Sequence, residues 1–254
     1  MSILSRVLTP HDRVQALFRQ DRMSTIADNI ALVSSRIRAA ALAAHRDEHS
    51  VQLLAVSKTK PAEALREAYA AGLRDFGENY LQEALGKQLE LADLPLIWHF
   101  IGPIQSNKTR AIAEHFAWVH SVDRLKIAQR LSEQRPADLP PLNICIQVNV
   151  SGEASKSGCT PADLPALAKA ISELPRITLR GLMAIPEPTD DRAAQDAAFA
   201  AVRDLMKSTQ ASLNLPLDTL SMGMSHDLES AIAMGATWVR IGTALFGARD
   251  YSQP

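Results

Sequence analysis

From Val51 to Ile241 the chain alternates short β-branched or apolar runs with longer stretches of helical period, and this alternation constrains the fold more than any other feature. Eight runs read as strands, at residues 51–57, 74–77, 97–101, 118–121, 142–150, 178–184, 219–222 and 238–241. Helical patterns follow the first seven, the pattern of successive βαβ units and a parallel sheet. Their starts carry ordinary signals: Pro61 opens one helix, Ser106 or Asn107 caps another, and Thr160 with Pro161 reads as cap and first turn. Eight strands in this alternation point to a closed (β/α)8 barrel of the TIM type. The competing architecture is an open doubly wound sheet. Its closely spaced glycines are absent after the first strand, where the chain reads Ser57-Lys58-Thr59-Lys60-Pro61.

One further helix is expected ahead of the barrel, over residues 25–44. The preceding segment has arginines and an apolar period, but also Asp12 and Asp21 and no apolar stretch of signal-peptide length. Residues 1–22 therefore read as a loosely attached extension and residues 23–254 as one barrel domain, a length such barrels reach as a single unit. With 46% hydrophobic residues there is enough apolar material for a large core. A formal net charge of −1 gives no bulk attraction to nucleic acid or an anionic membrane, so any phosphate must be gripped locally. No run of about eighteen apolar residues is present, which excludes a membrane-spanning helix. The two cysteines, Cys145 and Cys159, lack metal-ligand spacing and suggest a reducing cytoplasm rather than a disulfide scaffold.

Strand five says how the barrel is filled. Alternation puts Ile144, Ile146, Val148 and Val150 on one face and Asn143, Cys145, Gln147 and Asn149 on the other. The outer face of a barrel strand packs on helices, so the apolar set is assigned outward and the polar set inward, with Asn149 nearest a ligand. An edge strand wet on one side is the other reading of the same pattern.

Active sites of such barrels lie at the carboxyl ends of the strands. Those ends hold Lys58 and Lys60, Asn79, His99 and Gly102, Ser121 and Asp123, Asn149, Met183, Ser225, and Gly242 and Thr243. A lysine closing an apolar first strand is partly desolvated, which favours the neutral amine and its attack on a carbonyl carbon. A solvated lysine opening a loop is the plain alternative; Lys60 reads as a loop charge. Barrels also bind phosphate with the loops after strands seven and eight, here GMSHDLE and RIGTALFG. Ser225 and Asp227 read there as a helix start, Gly242 lets the backbone approach an anion, and the hydroxyls of Ser225 and Thr243 are candidate donors. Two ordinary capped turns would look the same locally. An amine on strand one and a phosphate cup on strands seven and eight together describe a site for a phosphorylated aldehyde, and pyridoxal 5′-phosphate is such a molecule.

The stretches LLAVSKTKP, FGENYLQEA, WHFIGPIQSNK, VNVSGEASKSG, RGLMAIP, SMGMSHDLESAIAMG and VRIGTALFGARDY, in this order over about residues 24–252, closely resemble the YggS/PROSC family of pyridoxal phosphate homeostasis proteins. The resemblance implies a fold similar to the amino-terminal domain of alanine racemase, with Lys58 forming the Schiff base. It implies that Arg240 faces the pyridine nitrogen and keeps it unprotonated, a poorer electron sink than a ring paired with a carboxylate; a purely structural barrel charge is the other reading of Arg240. Ser225, Gly242 and Thr243 match phosphate-binding positions, and Asn79 matches a residue lining the cofactor. His99 lies in a family signature, yet a histidine on a barrel strand is more often a satisfied core group than an acid or base. The SKSG segment at 155–158, with Lys156 inside it, falls on the same mouth as a lid or docking loop.

Two functions compete. The resemblance implies a cytoplasmic carrier or regulator of pyridoxal phosphate that supplies recipient apoenzymes, expected to be a monomer without robust turnover. An amino acid racemase would need a base on each face of the substrate α-carbon. The second base of the racemases comes from a further all-β domain, for which no length is expected here, and of Tyr69, Tyr80 and Tyr251 only Tyr80 stands near the site. A lysine aldolase is a third possibility on the same barrel; it would carry no chromophore.

Overall fold

The computed structural model of the protein describes residues 24–151 and 157–248. The extension expected over residues 1–22, Lys156 and Tyr251 therefore lie outside the described residues. Helix α1 (Ile26–Ala43) starts at a capping box, in which Thr25 Oγ1 accepts the Asp28 N–H and the Asp28 carboxylate accepts the Thr25 N–H. Its stripe of Ile30, Val33, Ile37 and Ala41 is buried against the barrel.

The alternating part follows as β1 (Gln52–Val56), α2 (Ala62–Ala70), β2 (Asp75–Glu78), α3 (Leu81–Glu90), β3 (Ile97–Phe100), a 3₁₀ turn (Ser106–Lys108), α4 (Thr109–His115), β4 (Trp118–Val122) and α5 (Leu125–Gln134). Then come β5 (Leu142–Gln147), α6 (Leu164–Ser172), β6 (Ile177–Met183), α7 (Arg192–Leu213), β7 (Thr219–Ser221), α8 (Leu228–Ala233), β8 (Trp238–Ile241) and α9 (Thr243–Phe246). All eight strands pair in parallel in sequence order, and β8 closes on β1 through Leu54 and Arg240 among other partners. This is the expected (β/α)8 barrel, and the open sheet is excluded. Among the described residues no helix is long and apolar enough to cross a membrane.

Strand five is shorter than its apolar pattern. Beyond Gln147 the chain turns back on itself: Cys159 donates its N–H to the Gln147 carbonyl, and the Asn149 N–H reaches the Cys159 carbonyl. Gly158 permits this return with φ of 126°, a region costly for any residue with a Cβ. Within the strand the inward and outward assignment is as expected, whereas Asn149, expected nearest a ligand, lies beyond the strand and does not line the space at its carboxyl end. Ile144, Ile146 and Val148 join the apolar layer between strands and helices, with Leu164, Ala168 and Ile171 of α6. Cys145 is buried but outside that layer, within electrostatic reach of Arg180 and Arg240.

The interior is polar and aromatic. Trp118 and Trp238, the first residues of their strands, lie 5.8 Å apart between ring centroids, and His99 stacks on Trp118 at 5.5 Å. Arg180 covers the Trp118 ring at 4.9 Å while bonding Asn143 and Asp218. The amino-terminal end of the barrel is thereby filled, and open space remains at the carboxyl ends of the strands.

Candidate functional site

Lys58, Asn79, Ser225, Arg240, Gly242 and Thr243 all line a single cavity of about 240 Å³, together with apolar Val56, Ile101, Ile185 and Met224. Six positions scattered over the sequence converge because each ends, or directly follows, an inward-facing run of β1, β2, β7 or β8. The adjoining space at the mouth is also bounded by Asn79, Ile101 and Ile185, joined there by Gln147 and Ser157.

Lys58 sits on a heavily braced segment. Before it, the Ser57 hydroxyl donates to Glu78 Oε1 at 2.6 Å and the Ser57 carbonyl accepts from Lys87 Nζ at 2.7 Å. After it, Thr59 is held at φ of 64°, where a β-branched residue is strained, and its N–H is bound by the Glu83 carboxylate. Lys87 Nζ joins the two halves by donating to Glu78 at 2.8 Å and to Glu83 one helical turn away. Burial pushes the Glu78 carboxyl above the usual carboxylate range, opposed by Lys87 and the Ser57 hydroxyl. The sequence reading missed this cluster. The Glu83–Lys87 spacing on α3 was its one visible trace, since i and i+4 share a helix face. Lys60, read as a loop charge, donates to the Ala248 carbonyl at 2.7 Å and does not line the cavity.

At the opposite side the structure corrects one expectation: Ser225 does not begin a helix. Asp227 Oδ1 accepts the Met224 N–H at 2.6 Å, which makes residues 224–227 a tight turn and delays α8 to Leu228. Among the described residues the hydroxyls of Ser225 and Thr243 make no hydrogen bond, and the N–H groups of Ser225, His226, Thr243 and Ala244 meet no backbone acceptor. At Gly242 an added Cβ would lie 3.1 Å from the Val56 carbonyl oxygen, so a side chain would crowd the cavity edge. The amino-terminal helix braces both elements: Arg36 bonds the Ser225 carbonyl and pairs with Glu229, while Asn29 bonds the Leu245 carbonyl.

Between these two sides lies Arg240, only 5% exposed. Three of its N–H groups are used, toward the Ser221 carbonyl (2.6 Å), the Ser221 hydroxyl (2.9 Å) and the Ala184 carbonyl (3.0 Å). Its Nε–H and one Nη2–H have no partner among the described residues. Burial lowers its pKa to about 10, so it stays cationic at neutral pH.

These features fit a flat, anionic ligand that carries acceptors and at least one hydrogen-bond donor. Among the described residues Asn79 Oδ1 is a buried acceptor with no partner, Arg240 retains donors, and the β7 and β8 turns present unspent hydroxyls and amides. A buried polar atom left bare in this way is costly unless a ligand or water meets it.

His99, whose role the sequence left open, is fully buried between Asp75 (3.0 Å) and His120 (2.9 Å). Desolvation lowers the pKa of both imidazoles, His120 the more, with His99 and Arg240 adding to its shift and Asp75 opposing that of His99. The unfolded chain therefore takes up protons near pH 6.5 that the folded protein refuses, so stability rises with pH there and is lost as pH falls below that value. Each imidazole contributes a slope of about 1.4 kcal/mol per pH unit until its folded pKa is reached. Urea unfolding between about pH 5 and 7 should show this loss, and His120→Gln should reduce the slope. An unchanged slope in that variant would contradict the assignment.

Residues 26–250 match the family model described as the alanine racemase N-terminal domain. The chain is 78% identical to a pyridoxal phosphate homeostasis protein of Pseudomonas aeruginosa over 232 residues, covering 91% of this chain and 99% of that one. It is 57% identical to the protein of the same name from Vibrio cholerae, over 91% of this chain and 99% of the relative. The structure of PipY from Synechococcus elongatus with PLP bound superposes with a TM-score of 0.79 at 44% identity, covering 88% of this chain and all of that one. A barrel of this topology and identity this high over nearly the full length of the relatives leave one conclusion: the chain belongs to the YggS/PROSC family of pyridoxal phosphate homeostasis proteins.

Proposed function

We propose that this protein binds pyridoxal 5′-phosphate in the Lys58 cavity and acts in its intracellular homeostasis, holding it as a Schiff base and releasing it to apoenzymes rather than turning over a substrate. The observation that carries this reading is one cavity with an amine on one side and unspent hydroxyl and amide donors on the other. When bound, the cofactor supplies an electrophilic aldehyde carbon and a pyridine ring able to accept electrons. Lys58 is the residue that would hold the cofactor, its neutral Nζ condensing with that carbon with loss of water. Ser225, Thr243 and the adjoining N–H groups hold the phosphate, with Gly242 keeping the approach clear. Arg240 offers N–H donors where a carboxylate would be needed to protonate the ring, so the ring stays a weak electron sink. Asn79 Oδ1 accepts from the ligand.

Tyr80 supports holding over racemisation. It is 52% exposed and borders a neighbouring groove with Gln105 and Lys108, outside the Lys58 cavity. The reading includes a cytoplasmic monomer whose functional unit is residues 23–254, with residues 1–22 as an extension to it.

The deciding experiment is an absorption spectrum of the purified protein with added pyridoxal phosphate, before and after borohydride, followed by peptide mass spectrometry. A visible Schiff-base band that disappears on reduction, with the pyridoxyl group on Lys58, is the expected result. A colourless protein, or label distributed over surface lysines, refutes the assignment.

A further inference from the structure

A continuous line of hydrogen bonds crosses the barrel interior from Arg240 to the amino-terminal end of β2. Arg240 Nη1 donates to Ser221 Oγ (2.9 Å); Ser221 Oγ lies 2.7 Å from His120 Nδ1; His120 Nε2 lies 2.9 Å from His99 Nδ1; and His99 Nε2 lies 3.0 Å from Asp75 Oδ1. Strands β2, β3, β4, β7 and β8 each contribute one member. Ser221, His99, His120 and Arg240 are buried, and the Asp75 side chain is 23% exposed.

The ends determine the direction of every link. A guanidinium can only donate and a carboxylate can only accept. Ser221 Oγ, receiving the arginine proton, directs its own hydrogen to His120 Nδ1. His120 must then carry its proton on Nε2 and give that bond to His99 Nδ1, and His99 in turn donates from Nε2 to Asp75. In this arrangement Ser221, His120 and His99 each donate once and accept once along the line, and both rings are neutral. Reversal would leave the Ser221 hydrogen without an acceptor. Nor is the line a proton channel, because its upper end cannot accept a proton. Other charged groups near the rings do not interrupt it: Arg180 is committed to Asp218 and Asn143.

We propose that Asp75, His99, His120 and Ser221 form a one-directional hydrogen-bond chain that positions Arg240 and strengthens the donors it presents to the ring nitrogen of the bound cofactor. Arg240 has no carboxylate within hydrogen-bonding distance among the described residues; Asp227 acts on its buried charge from farther away, and the aligned dipoles ending at Asp75 add to that balance. The four are positioning residues; none of them lines the Lys58 cavity. The role in ligand binding rests on the cofactor reading above, whereas the proton positions do not.

Long-range ¹H–¹⁵N correlation spectra of the histidine side chains in the ligand-free full chain provide the test, with the two buried rings assigned through His99→Gln and His120→Gln. Both rings should be neutral Nε2–H tautomers that do not titrate between about pH 5.5 and 8.5, a range spanning the ordinary imidazole pKa near 6.5. Asp75→Asn should weaken pyridoxal phosphate binding roughly fivefold, on the scale of one ordinary hydrogen bond, and shift the Schiff-base absorption. Asp218→Asn, which removes a carboxylate paired with Arg180 instead, should change neither. An Nδ1–H tautomer at either ring, or a ring titrating near its ordinary pKa, overturns the chain. Predicted tautomers combined with unchanged affinity and spectrum in Asp75→Asn overturn its role, and a protein that binds no pyridoxal phosphate refutes the cofactor reading while leaving the tautomer result intact.

Discussion

Lys87→Met is expected to destabilise the protein by about 3–5 kcal/mol, the cost of leaving a buried charge without its partner. The Lys87 side chain is 6% exposed and that of Glu78 is not exposed at all. Among the described residues Glu78 Oε2 already lacks a hydrogen-bond partner, so the carboxylate depends on Oε1, shared between Lys87 and Ser57. Without the ammonium the carboxyl must ionise unpaired or take up a proton. Its folded pKa then rises further above the unfolded value. A raised folded pKa contributes stability below the unfolded pKa that is lost as pH rises through the folded one, so the penalty should be smaller at acid than at alkaline pH. Urea unfolding at two pH values measures this. Adding Glu78→Gln to Lys87→Met should recover a substantial part, because an amide is far cheaper to bury than an unpaired carboxylate. Lys87→Met within about 1 kcal/mol of the parent would mean that Glu78 is solvated in some other way.

The second large effect falls on the ligand. Lys58→Ala should abolish the visible Schiff-base band and weaken pyridoxal phosphate binding by about a hundredfold or more, equivalent to ~2.8 kcal/mol at 1.4 kcal/mol per decade. Residual binding through the Ser225 and Thr243 turns should persist. Stability of the ligand-free protein should change by less than about 1 kcal/mol, because Lys58 is half-buried and its backbone stays braced through Ser57 and Thr59. Lys60→Ala is the matched control: its ammonium is engaged by the Ala248 carbonyl outside the cavity, and affinity should change less than threefold. Equal losses in the two variants would shift the chemistry away from Lys58. The comparison also tests the strained residue between them. Thr59→Gly relieves the left-handed strain, and if that conformation aims Lys58, affinity should fall as the segment loosens.

Much of the architecture was legible in the residues. The eight strands were placed within a few residues because apolar runs bounded by helix-start signals depend on neighbours in the chain. The misplacements have local causes of another kind. Strand five ends early because the Cys159 N–H takes up the Gln147 carbonyl from twelve residues away, a pairing that alternation cannot reveal. Ser225 looked like a helix cap because Asp227 follows it, but Asp227 turns back to the Met224 N–H instead.

The sequence by itself determined the alternation, hence the barrel, and placed Lys58, Asn79, Ser225, Gly242 and Thr243 at strand ends that a barrel must gather at one mouth, while Arg240 entered through the family resemblance. Tertiary structure alone decided what stands behind them. His99 meets Asp75 across 24 residues of chain and His120 across 21, His120 meets Ser221 across 101, and Lys87 reaches the Ser57 carbonyl across 30. The physical reason is that periodicity records which side of a strand faces away from water, whereas hydrogen-bond partners inside a closed barrel are set by register between strands, a property no single segment carries.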